Sequence, residues 1–175
     1  MANWRRFLVG ILGALGLVGL ATASVGADEG GTVIHYTSMT PITGSLVGAV
    51  NDRGLTGGGI PWMITSGSGT VDRDGHVSAS VTGLVLAAGA NAGKNPIGTF
   101  AAVVSCRTTA EQIANVQTPG VPASVPTGDA TIDATVALPH PCTTPEVFVG
   151  GLIATSTAHV FRWFAVSNGD FADPA

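Results

Sequence analysis

Residues 69–86 read GTVDRDGHVSASVTGLVL and carry the clearest secondary-structure signal in the chain. Two alternating segments flank Arg73-Asp74-Gly75, and an Asp-Gly pair in that setting is the strongest short-range signal for a β-hairpin, because a type I′ turn needs positive φ at both central residues. The returning segment, 76–86, has a period of two. Its apolar face holds Val77, Ala79, Val81 and Val85, and its polar face holds His76, Ser78, Ser80 and Thr82. We expect a hairpin with one buried face.

Further strand signals lie on both sides of this hairpin, separated by glycine- and proline-rich turns. The segment 99–106 is apolar on both faces, which predicts a central strand. Thr108 and Glu111 have the spacing of a capping box for one helical turn over 110–115; a plain strand connection is the alternative. Prolines at 119, 122 and 126 indicate a stiff extended loop. The other predicted strands cover 32–37, 44–50, 60–65, 129–138, 146–155 and 158–167.

These segments define an all-β class. Helical periodicity is absent after residue 27, and short strands with regular turns predict an antiparallel β-sandwich of about eight to ten strands, Ig-like or jelly-roll-like, with a small barrel as the alternative. Residues 28–175 form one predicted domain with a core over about 32–167. Large aromatic side chains can fill that core without a cofactor. They are Trp62, Phe100, Phe148, Phe161, Trp163 and Phe164.

Composition excludes several other classes. The 175 residues are 45% apolar and only 10% charged, with 25 glycines, 10 prolines and a formal net charge of −4. A helical bundle or coiled coil would need far more charged residues, and a disordered chain would be less apolar. A nucleic-acid partner is not expected either, since no Lys/Arg cluster occurs in the predicted domain.

The first 27 residues are typical of a secretory signal. Arg5 and Arg6 precede a 15-residue apolar run, and small residues lead to a predicted cleavage site near Ala27. An uncleaved anchor is the weaker alternative, because a membrane span needs about 20 apolar residues. Arg5-Arg6-Phe7-Leu8-Val9 also resembles a twin-arginine signal, but the general secretory (Sec) route is preferred. We therefore expect a secreted protein that keeps no stable membrane anchor.

Cys106 and Cys142 are the only cysteines in the chain. In an exported protein the default is a disulfide, and only one pairing exists. Two buried free thiols are the alternative, and a metal site is disfavoured because no Cys-x-x-Cys or His-x-x-x-His spacing occurs. We expect a structural bond.

Motifs for catalysis are missing. No Gly-x-Ser-x-Gly, phosphate-binding glycine loop or His-Glu-x-x-His occurs, and the histidines at 35, 76, 140 and 159 are dispersed. Asp72 and Asp74 before Gly75 resemble the middle of a calcium loop, but Thr70 and Val81 stand where its end ligands belong. Asp133 is the one acid within a confident strand away from a turn, and we interpret it as solvated. No catalytic, cofactor-binding or metal-binding residue is assigned.

Tryptophan and tyrosine side chains could also form a sugar-binding platform. The candidates are Trp62, Trp163 and Tyr36. Each tryptophan lies in an apolar run, so core packing is the preferred interpretation.

Four strings occur together: GGGIPW at 57–62, VTGLVL at 81–86, VVSC at 103–106 and LPHPC at 138–142. This combination resembles a group of small exported bacterial proteins with a paired-cysteine β-domain, over roughly residues 43–167. The resemblance implies a β-sandwich fold and export, and it implies no catalytic residues.

The leading hypothesis is therefore an exported, non-enzymatic β-domain of the cell envelope or extracellular space that acts as a binding or surface-associated module. Its partner would be a glycan or protein ligand, with no cofactor. The alternatives are a secreted hydrolase acting on glycans and a carbohydrate- or calcium-binding module.

Overall fold

A computed structural model describes residues 31–108 and 112–171; the predicted signal at 1–27 lies outside the described residues. The described chain is all-β with antiparallel sheets, as predicted. Its elements are β1 Thr32–Pro41, a 3₁₀ turn Gly44–Leu46, β2 Trp62–Met63, β3 Ser66–Asp72, β4 His76–Thr82, β5 Val85–Leu86, β6 Thr99–Arg107, β7 Ile113–Gln117, β8 Val121–Pro122, β9 Ala130–Thr135, β10 Thr143–Ala154 and β11 His159–Phe171.

Nine of these strands form one sheet in the order β7-β6-β10-β11-β1-β3-β4-β9, with β8 also paired to β6. Strands β2 and β5 form a separate pair. The large sheet curls into a half-barrel, so that β8 and β9 come into contact. A two-sheet sandwich is not confirmed, because a single continuous sheet holds most of the strands.

The predicted hairpin is confirmed as β3 and β4, with Val71 opposite Val77. Its turn differs from the expected type I′ turn: Gly75 has φ 82° but Asp74 is not in the positive-φ region. The Gly75 N–H donates to the Asp72 carbonyl at 3.1 Å. This is a type I turn followed by a left-handed glycine, a common hairpin solution that demands glycine at one position only.

Other predicted strand bounds are wrong too: 129–138 shrinks to Ala130–Thr135, and 32–37 extends to Pro41. The returning strand ends at Thr82, because Gly83 turns the chain with φ 61° and β5 pairs with β2 instead. The segment 44–50 is a 3₁₀ turn and loop, since Gly44 and Gly48 also have positive φ. The strand over 60–65 shrinks to Trp62–Met63.

The connection after β6 is resolved in favour of a strand. β7 begins at Ile113 and pairs with β6, which rules out a helical turn through 113–115. Glu111, one half of the predicted capping box, lies outside the described residues.

The core lies where the sheet is covered on both faces. Every residue from Phe100 to Cys106 in β6 is buried, so both faces of this strand are covered as predicted, but β6 lies second from one end of the sheet, between β7 and β10. The chain between β1 and β2 runs alongside the edge of β11 where the pairing with β1 has ended, with a parallel bridge between Gly57 and Trp163. The Gly58 N–H donates to the Trp163 carbonyl at 3.0 Å, and the Trp163 N–H donates to the Thr56 carbonyl at 3.3 Å. We call residues 43–61 the cover segment.

Cys106 and Cys142 form the predicted disulfide, with a Cα–Cα distance of 4.8 Å. The bond joins the end of β6 to the residue before β10. A disulfide indicates an oxidising environment. Within the part of the chain that the structure describes, no helix is long and apolar enough to cross a membrane.

Candidate ligand-binding cleft

An aromatic pair joins the cover side of the molecule to the sheet. Trp62 of β2 stacks on Phe164 of β11, with ring centroids 3.8 Å apart and an interplanar angle of 11°. Phe100 meets Phe164 edge to face at 5.9 Å. All three side chains are buried. The aromatic pair therefore belongs to the core, as the sequence indicates.

The other aromatic candidates for a sugar platform are also core residues. Trp163 is 2% exposed, meets Phe148 edge to face at 5.5 Å and donates from its indole nitrogen to the Leu55 carbonyl at 3.3 Å. Tyr36 is 1% exposed, and desolvation raises the pKa of its phenol above the ordinary value. Both rings are packed in the core, and neither lines the cleft beside Trp62 and Phe164.

A cleft of about 400 Å³ opens beside the Trp62–Phe164 pair. Its size falls within the range of small-molecule sites. Trp62 and Phe164, which are only 3% and 2% exposed, lie at its floor, and the walls are mainly aliphatic. The lining residues are Gly58, Gly59, Ile60, Trp62, Leu86, Pro96, Ile97, Ile153, Arg162 and Phe164.

Two glycines allow the close packing that shapes this floor. A Cβ atom on Gly58 would lie 3.0 Å from the Trp62 indole nitrogen and 3.1 Å from the Phe164 ring. A Cβ atom on Gly151 would lie 2.9 Å from both Phe164 and Ile97. The glycine run 57–59, a structural turn in the sequence interpretation, thus brings backbone directly against the aromatic pair.

Arg162 is the one charged residue in the cleft lining. It lies two residues before Phe164 in β11, and this spacing places both side chains on the same face of the strand. Its Nη1 donates to the Phe161 carbonyl at 3.1 Å. None of the described carboxylates lies within ion-pair distance of its guanidinium group.

A second polar cluster lies beneath the cover segment. Arg53 is 3% exposed, and its Nη2 donates to Glu146 at 2.8 Å and to the Thr144 carbonyl at 2.9 Å. Asn115 donates to the Arg53 carbonyl at 2.8 Å. Because Ser105 is paired across the sheet with both Glu146 and Asn115, it lies between these two partners of Arg53. These hydrogen bonds anchor the cover segment to β7 and β10.

Among the described histidines, His76 lies close to two acids. His76 Nε2 lies 3.0 Å from Asp133 Oδ1, and His76 Nδ1 lies 3.9 Å from Asp72 Oδ2. This triad is on the outer sheet surface, with Asp133 73% exposed, and it lies outside the cleft lining. The other histidines, at 35, 140 and 159, are exposed.

The hairpin acids have a structural role at the predicted calcium-like segment. Asp72 Oδ1 accepts the His76 backbone N–H at 2.9 Å, which closes the turn. Among the residues that the structure describes, no group of three or more His, Cys, Asp or Glu side chains could hold a metal ion.

No protein-family model, curated protein or solved structure matches this chain. The assignment of the cleft as a candidate site therefore depends on geometry alone. Sequence reasoning missed Arg162, Gly151 and the buried Arg53. The alternation Arg162-Trp163-Phe164 could have placed Arg162 beside Phe164, but nothing local shows that a distant tryptophan stacks on that face.

Proposed function

We propose that this chain is an exported, non-enzymatic binding module and that the cleft beside Trp62 and Phe164 is its ligand site. The observation that carries the proposal is an apolar cleft of ligand size whose floor is a preformed, stacked aromatic pair. Sites for small molecules are concave, mostly apolar and largely formed before binding. The disulfide and the signal-like first 27 residues support secretion or action at the cell envelope.

A secreted hydrolase is the less supported alternative. The groups with acid–base chemistry on one surface, His76 with Asp72 and Asp133, lie on the outer sheet face and not around the cleft. A glycan ligand is also less supported, because Trp62 and Phe164 stack on each other and each ring therefore has one face covered by the other. A small apolar ligand fits the site better.

We also propose that the molecule is sandwich-like in its packing. The cover segment and the β2–β5 pair would act as a second layer over the central strands. The side-chain stacking of Trp62 of β2 on Phe164 of β11 supports this description.

The ligand site can be tested with the uncharged fluorescent probe N-phenyl-1-naphthylamine. Ile153 is half-buried in the cleft wall near the end of β10, so Ile153→Trp should fill the cleft with little disturbance of the core. We expect the wild-type protein to bind the probe and Ile153→Trp to bind it at least about tenfold more weakly.

The matched control is Val125→Trp, at a residue 59% exposed and outside the cleft lining. It adds the same side chain and should leave the affinity unchanged. Equal affinity of Ile153→Trp and wild type, or absence of binding by the wild type, would contradict the proposed site.

A further inference from the structure

Arg162 places a positive charge in a cleft that is otherwise almost wholly apolar. An isolated charge next to apolar surface gains more from a partner of opposite sign than it would in water, since the local dielectric constant is lower. Its neighbours within the cleft lining offer no carboxylate. The guanidinium group therefore has a capacity for an anion that the described protein does not use.

The other charges of the molecule leave Arg162 as a local positive charge. The described ion pairs lie elsewhere and involve Arg53 with Glu146, Arg107 with Asp52, and His76 with Asp72 and Asp133. The chain as a whole is acidic, with a formal charge of −4. A cleft that is locally positive on an acidic chain is a specific feature of charge complementarity rather than a consequence of general basicity.

Planar geometry adds a further preference. A guanidinium group presents paired N–H donors that match the oxygens of a carboxylate, and such charge-assisted bonds are stronger than neutral ones. The hydrogen bond from Arg162 Nη1 to the Phe161 carbonyl fixes one side of this forked guanidinium group. The aromatic floor and the aliphatic walls would take the apolar remainder of the same ligand.

Resting on the proposed function of the cleft, we infer that its ligand is an amphiphilic anion: an apolar body that lies against Trp62 and Phe164, with a carboxylate or sulfonate group that pairs with Arg162. The apolar body supplies most of the buried area, and the anionic group sets orientation and selectivity.

A pair of probes separates these two contributions. 1-Anilinonaphthalene-8-sulfonate carries an anionic group on the same aromatic scaffold as the neutral N-phenyl-1-naphthylamine. We expect the wild-type protein to bind the anionic probe more tightly, and Arg162→Gln to weaken its binding about tenfold, well beyond any change in the affinity for the neutral probe. Retained binding of the neutral probe also shows that the variant is folded.

Arg73→Gln is the charge-matched control. Arg73 is an exposed residue of the β3–β4 turn and does not line the cleft, so this substitution removes the same charge outside the proposed site. It should leave both affinities unchanged. Arg162→Lys should retain part of the preference for the anion, since the charge remains but the fork is lost. Ile153→Trp should weaken the binding of both probes at least about tenfold, which ties the signal to the cleft.

The outcomes distinguish the two proposals. If the neutral probe binds in the cleft but Arg162→Gln leaves the affinity for the anionic probe unchanged, the anion preference is overturned while the cleft stands as a ligand site. If neither probe binds the wild type, or if Ile153→Trp affects neither, the proposed function itself fails. Equal losses in Arg73→Gln and Arg162→Gln would reduce the effect to net charge and overturn the inference.

Discussion

At the scale of single residues, the interior contains polar groups of two kinds. Thr118 is 1% exposed, accepts the Ala102 N–H at 3.0 Å and donates to the Pro119 carbonyl at 3.0 Å. Ser105 is fully buried on the same strand pair, and its hydroxyl has no hydrogen-bond partner among the described residues. Equal burial therefore comes with unequal hydrogen bonding.

The two hydroxyls should respond differently to removal. Thr118→Val leaves the buried Ala102 N–H without its acceptor and should lower the free energy of unfolding by about 1–3 kcal/mol. Ser105→Ala removes a buried hydroxyl that has no protein partner, so its cost should be below about 0.5 kcal/mol, or the change should stabilise the protein. Denaturant unfolding measures both, and a larger loss in Ser105→Ala would contradict the assignment.

Neighbouring glycines in the cover segment offer a second matched pair. A Cβ on Gly58 would press on Trp62 and Phe164, whereas a Cβ on Gly59 would meet nothing within 4 Å. We expect Gly58→Ala to destabilise the protein by about 1–3 kcal/mol through overpacking. Gly59→Ala should be neutral or slightly stabilising, because it only restricts the unfolded chain. Thermal unfolding of both variants tests the difference.

At the scale of elements, the sequence predicts local structure well where one face is buried. The β3–β4 hairpin and the buried face of Val77, Ala79 and Val81 follow from the alternation. The burial of both faces of β6 follows from its apolar run. The run 44–50 is apolar too, yet it forms no strand. Its glycines at 44 and 48 take positive φ, and a pattern of side-chain polarity does not encode that choice.

The Asp129 side chain connects the loop before β9 to the turn after β4. It accepts the Thr127 hydroxyl at 2.6 Å and the Gly83 N–H at 2.9 Å. The Thr127 bond, and then the Gly83 bond, hold the pKa of this carboxyl below its ordinary value of 3.8. Both bonds favour the ionised form.

The sign of the pH effect follows from that depressed pKa. The unfolded chain binds the proton more readily than the folded protein, so the Asp129 contribution is present above pH 3.8 and is lost as the pH falls through the lower, folded-state pKa. Asp129→Asn should therefore flatten the fall in stability on acidification. Unfolding curves at neutral and acidic pH measure this, with Asp74→Asn, an exposed turn residue, as the charge-matched control. Parallel pH profiles for Asp129→Asn and wild type would contradict the role.

At the scale of the whole molecule, the sequence leaves the arrangement of strands undetermined. Alternation tells which face of a strand is buried, but it does not tell whether the covering layer is a second sheet or a curled part of the same one. Here β1 lies between β11 and β3. The β1–β11 pairing joins residues more than 120 positions apart. The cleft could not be predicted from the sequence for the same reason, because Trp62 and Phe164 come into contact only through that long-range arrangement.

The disulfide closes a loop with a sequence separation of 36 residues at one end of the half-barrel. On the chain-entropy model such a bond contributes about 3–4 kcal/mol by restricting the unfolded chain. We expect the Cys106→Ala/Cys142→Ala double variant to unfold at correspondingly lower denaturant concentration. Alkylation of the unreduced wild-type protein should label neither thiol. Full labelling, or equal stability of the double variant, would contradict a stabilising bond.

If the chain is exported, as proposed above, the position of β1 also constrains the order in which the sheet can form during export. If the chain emerges from its N-terminal side, β1 finds β3 early, but its second neighbour, β11, is the last of the described strands to leave the translocation channel. The sheet therefore cannot close around its centre until translocation is nearly complete, and contacts of such long sequence separation form slowly. During that interval the chain exposes strand edges and apolar surface, so its successful secretion would depend on protection from aggregation until the final strand arrives.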